Sequence, residues 1–88
     1  MKELSELLHI IADLSDPKDI EKLLGDLLTD SERDALSLRW RVLKDLHAGM
    51  SQRAIAEKRH MSLCKITRGS KILKKKNSLT KKLLDDLS

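Results

Sequence analysis

The chain has 88 residues, 40% apolar and 36% charged with Trp40 its single aromatic; that is length for one domain, and charges interrupt it too often for a membrane span of about 18 apolar residues. Three Gly, one Pro and 18 Leu against a single Val argue against a turn-rich sheet protein and for an all-α domain. The net charge of +4 hides a division: residues 1–34 carry 4 Lys/Arg and 10 Asp/Glu while residues 35–88 carry 14 and 4, so a polyanionic partner is expected along the second part.

Leu4, Leu7, Leu8, Ile11 and Leu14 recur at helical spacing and predict a first amphipathic helix that closes near Asp13 to Ser15. Asp16 before Pro17 predicts a capped second helix with Ile20, Leu23, Leu24, Leu27 and Leu28 as its apolar stripe. Thr29-Asp30-Ser31-Glu32 reads as a capping box in which hydroxyl and carboxylate satisfy each other's backbone amides. It opens a third helix from about Asp30 to Ala48, with Ala35, Leu36, Leu38, Val42, Leu43 and Leu46 apolar and Gly49 as the left-handed stop.

Ser51 can cap a helix over Gln52 to Arg59, and Ser62 another over Leu63 to about Lys76, with Arg59-His60-Met61 as the turn between them. Asn77-Ser78 breaks the pattern, and Leu79, Leu83, Leu84 and Leu87 predict a last short helix. The spacing of the two short helices is that of a helix-turn-helix, which needs a small residue where the helices touch, apolar residues turned inward and a turn residue that tolerates positive φ. Ala56, Ile55 with Ile66, and His60 fill those places, while Arg59 stands where an apolar residue is usual. Positions 53–76 carry nine cations against Glu57, a density suited to nucleic acid. These features leave two readings open, a DNA-reading unit or a basic helical module that docks an acidic protein.

Thr29 to Leu46, Met50-Ser51-Gln52-Arg53 and the string Ile66-Thr67-Arg68-Gly69-Ser70 together resemble the tryptophan repressor family over roughly residues 20–75, the sharpest elements being Leu28 to Leu36 and the Ile-Thr-Arg-Gly-Ser string. A related branch of corepressor-free regulators shares the Met-Ser-Gln-Arg start but carries a larger residue in place of Gly69. The resemblance implies a six-helix intertwined homodimer in which residues 1–48 and 78–88 form the dimerisation core and residues 51–76 a reading head on each subunit. An oligomer is expected independently, because a monomer of this length would bury roughly 60 to 65% of its unfolded surface and has no large aromatic core.

In that family the corepressor L-tryptophan is held between two guanidinium groups, and the matching positions are Arg39 and Arg68; guanidinium planes stack on an aromatic face and also bind carboxylate. The resemblance also implies that Gly69 lets the indole approach the backbone and that Thr29 and the carbonyls around Leu28 receive the ammonium. Ile72 stands where the family pattern has a hydroxyl, which implies a weaker hold on that ammonium and leaves open a regulator that needs no corepressor.

For operator DNA, the first turn of the second short helix can enter the major groove, with Leu63, Cys64 and Thr67 facing base edges. Arg53 is placed for guanine with Gln52 beside it, and Lys65 and Lys71 for phosphates. Cys64 cannot form an intramolecular disulfide, and the chain opens on no basic-then-apolar leader, so a soluble cytoplasmic protein is expected. Its place near a helix start among cations allows a redox reading, yet a small side chain against DNA accounts for it equally. His9, His47 and His60 lack metal-ligand spacing, and no catalytic constellation or phosphate loop is present, so neither a metal site nor an enzyme is expected.

Overall fold

The computed structural model describes residues 2–88, and among them six helices form: α1 (Lys2–Asp13), α2 (Pro17–Leu27), α3 (Asp30–His47), α4 (Gln52–Arg59), α5 (Leu63–Lys74) and α6 (Leu79–Leu87). The all-α expectation holds. The chain divides into two compact units, Met1–Ala35 and Leu36–Ser88, a boundary within a residue of the one where acidic sequence gives way to basic.

In the first unit the local signals act as their chemistry requires. The Lys18 N–H donates to Asp16 Oδ1 at 2.9 Å and Pro17 takes the first helical position, so α2 starts with one open amide satisfied and one removed. The Thr29 N–H donates to Glu32 Oε1 at 2.8 Å and the Glu32 N–H to Thr29 Oγ1 at 3.2 Å, completing the capping box. The Thr29 backbone amide, followed by its hydroxyl, holds the Glu32 carboxyl below its ordinary value. Among the described residues α1 and α2 bury no side chain fully, and Leu4, Leu8, Ile10 and Leu27 stand about half exposed.

The second unit has a true core. Val42 of α3, Ile55 of α4 and Ile66 of α5 are buried together, with Leu46, Met50, Ala56 and Met61 packed around them. Gly49 closes α3 at φ +96°, a conformation that glycine adopts without steric cost. Ser51 caps α4 by accepting from the Ala54 N–H at 3.1 Å. Arg59, where an apolar residue is usual, folds its guanidinium onto α3, its Nε and Nη2 donating to Asp45 Oδ2 at 3.1 and 3.0 Å.

Two local expectations are corrected. Ser62 sits at the start of α5 with extended backbone, but its hydroxyl bonds no first-turn amide among the described residues. Helix α5 ends at Lys74 rather than near Lys76, since Lys75 leaves helical geometry and Asn77 turns at φ +58°. Asn77 then delivers the chain to Ser78, which caps α6 by accepting from the Lys81 N–H at 3.1 Å. Leu84 buries α6 against this unit, and His47 Nε2 meets Asp85 Oδ1 at 2.6 Å. The His47 contact first, then Lys81 at 3.0 Å, hold the Asp85 carboxyl below its usual range.

Candidate functional site

Helices α4 and α5 pack against each other through Ile55 and Ile66, both fully buried, and His60 joins them in the left-handed region at φ 54°, ψ 48°. Imidazole tolerates that region better than a β-branched side chain, so the small-residue turn usual in such a motif is not needed here. The His60 and Met61 amides both donate back to the Ala56 carbonyl, closing the end of α4 at the turn.

Burial along α5 follows the helical period. Ile66, Gly69 and Ser70 are buried, and on the opposite face Cys64, Arg68 and Lys71 are exposed. Lys65 is exposed on the flank and Leu63, at the leading end, is 48% exposed. Arg53 is exposed in the first turn of α4. The unit thus presents an apolar tip, a row of cations and an arginine on adjoining helix starts, all anchored from behind by two isoleucines.

Gln52 and Thr67 differ from that group. Both are half-buried, and the Thr67 hydroxyl donates to Gln52 Oε1 at 2.8 Å, a bond between the helices that the sequence pattern did not reveal. Nothing in the spacing of two polar positions fifteen residues apart announces their pairing.

Gly69 marks where α5 meets α3: a β-carbon there would lie 3.1 Å from Leu46 Cδ1, 3.5 Å from Leu43 Cδ2 and 3.8 Å from Val42 Cγ1. The crossing is therefore close enough that a side chain larger than alanine would crowd α3. Arg39 is exposed one turn before Val42 and Leu43 on α3, and Arg68 is exposed immediately before Gly69 on α5, on the face opposite the buried Ile66, Gly69 and Ser70. Ile72, one turn beyond Arg68, is half-buried. Leu28 and Thr29 belong to the first unit, where Leu28 is half-buried at the end of α2 and Thr29 is exposed and engaged in the capping box. Among the described residues no group of three or more His, Cys, Asp or Glu could hold a metal ion, and no helix is long and apolar enough to cross a membrane.

The family model described as Trp repressor protein matches residues 2–88, which is nearly the whole chain. The chain belongs to the Trp repressor family. Proteins of this family are DNA-binding regulators of transcription rather than enzymes. Similar curated proteins are a Trp operon repressor homolog of Vibrio campbellii, 34% identical over 98% of this chain and 87% of its own length, and one of Vibrio parahaemolyticus, 33% identical over 91% and 79%. A third, from Vibrio atlanticus, is 34% identical over 93% of this chain and 85% of its own length. No solved structure matches the chain at a significant level.

Proposed function

We propose that this member of the Trp repressor family is a cytoplasmic homodimer that binds a palindromic operator when L-tryptophan is bound beside each reading head. The reading head is residues 51–76, and residues 1–48 with 78–88 form the dimerisation core. The observation that carries the reading is the anchored helix pair: Ile55 and Ile66 fix α4 and α5 while Arg53, Leu63, Cys64, Lys65 and Lys71 remain exposed for duplex DNA. Arg53 suits guanine, and Lys65 and Lys71 suit phosphates.

For the corepressor, the family resemblance assigns the two guanidinium groups to Arg39 and Arg68, both exposed, and assigns Gly69, Leu28 and Thr29 to the same ligand. Tryptophan would raise operator affinity by ordering α5, and linkage then requires that operator DNA raise tryptophan affinity by the same factor.

Selection of binding sites from a random duplex pool, with and without L-tryptophan, tests the whole reading. A two-fold symmetric site enriched in the presence of tryptophan is expected. Equal enrichment without it would instead support a corepressor-independent regulator, the reading favoured by the aliphatic Ile72. Enrichment of no sequence at all would leave a basic protein-docking module.

A further inference from the structure

The bond between Thr67 and Gln52 changes what each side chain can offer a ligand. A threonine hydroxyl has one proton, and at Thr67 it is committed to Gln52 Oε1 at 2.8 Å, so it is not available for donation to a base edge. The glutamine amide is held by its carbonyl end. Its Nε2 carries two donors that bond no protein group among the described residues, and none of the buried side-chain nitrogens or oxygens there lacks a partner, so Nε2 meets solvent. Bidentate reading of adenine by glutamine uses both ends of the amide, and here Thr67 takes one lone pair of the accepting oxygen and fixes its orientation. The free Nε2 offers donors next to the exposed Arg53 at the start of α4, and phosphate oxygens are the acceptors that most protein donors meet on duplex DNA.

We infer that Thr67 is a positioning residue whose hydroxyl fixes the Gln52 amide, so that Nε2 donates to a backbone phosphate of bound duplex DNA and neither side chain reads a base. This rests on the DNA-reading function proposed above. It differs from the expectation drawn from spacing, in which Thr67 faces base edges directly.

The test measures binding of the full chain, with L-tryptophan present, to its selected duplex and to every single-base variant of that duplex. Gln52→Ala and Thr67→Val are each expected to weaken binding of the dimer about 25-fold, one modest hydrogen bond of about five-fold at each of the two reading heads. The double variant is expected to lose no more than either alone, and Thr67→Ser to bind like the unmodified chain. Base preference at every position should be unchanged in all four. Losses that multiply, a base position whose preference shifts in Thr67→Val, or a Gln52→Ala chain that binds normally would each overturn the inference while operator binding stands. An unmodified chain that binds no duplex would overturn both readings. Thermal melts of each variant verify folding, and Gln52→Ala carries the affinity test if Thr67→Val melts early.

Discussion

Gly69 shows how a single missing β-carbon can be read in two ways. Beside a ligand it would admit an indole; against α3 it admits Leu46, whose Cδ1 lies 3.1 Å from where a methyl would sit. Alanine gains about 1 kcal/mol of helix propensity over glycine, and the end of a leucine side chain can yield a few tenths of an ångström. Gly69→Ala is therefore expected to change stability by less than about 1 kcal/mol, because the gain offsets the crowding. Gly69→Val adds two more methyls at the same crossing and is expected to cost about 1–3 kcal/mol of overpacking. Urea unfolding of the two variants measures this. A valine variant as stable as the unmodified chain would mean that packing on α3 does not require glycine, leaving ligand approach as its reason.

Helices and most of their ends, though not the cap and close of α5, were legible in the sequence because the information that sets them is local. Pro17 after Asp16, the Thr29 and Glu32 pair, Gly49 and the left-handed His60 act within four residues of themselves, and Ile55 with Ile66 follow from period and motif spacing. Pairs of polar side chains on different helices were not legible, since periodicity states which face a residue occupies and not which partner waits there. Arg59 is the clearest instance: its charge looked like a defect in the helix-turn-helix, yet Asp45 on α3 receives it, with side chains 22% and 15% exposed. Removing one member of so desolvated a pair strands the other. Asp45→Ala is expected to destabilise the chain by about 1.5–3 kcal/mol, the range for a hydrogen bond to a charged group. Replacing both, as Arg59→Leu with Asp45→Leu, should recover most of that loss, because apolar packing substitutes for a buried ion pair with little penalty. If the double variant is less stable than Asp45→Ala by chemical denaturation, the pair is doing more than filling the place of an apolar contact.

At the scale of the whole molecule, the open question is what covers its apolar side chains. Leu4, Leu8, Ile10 and Leu27 in the first unit and Leu36, Trp40, Leu79, Leu83 and Leu87 in the second are all more than a third exposed in a chain of 10.0 kDa. Isolated exposed leucines are ordinary, but this many on a small chain, with α1 and α2 burying nothing fully, is what a protomer separated from its partner would look like. The proposed homodimer would supply the missing cover, and folding would then be inseparable from association. Two consequences follow together: the chain should sediment at twice its own mass, and its thermal midpoint should rise with protein concentration. Leu8→Glu and Leu87→Glu, at positions 56% and 67% exposed, should be harmless in a true monomer. In a dimer that covers these positions each would force a carboxylate into apolar surroundings, lower the midpoint and shift sedimentation toward the single-chain mass. A concentration-independent midpoint in the unmodified chain, together with indifference to both substitutions, would remove the dimer and with it the two-fold symmetry expected of the operator.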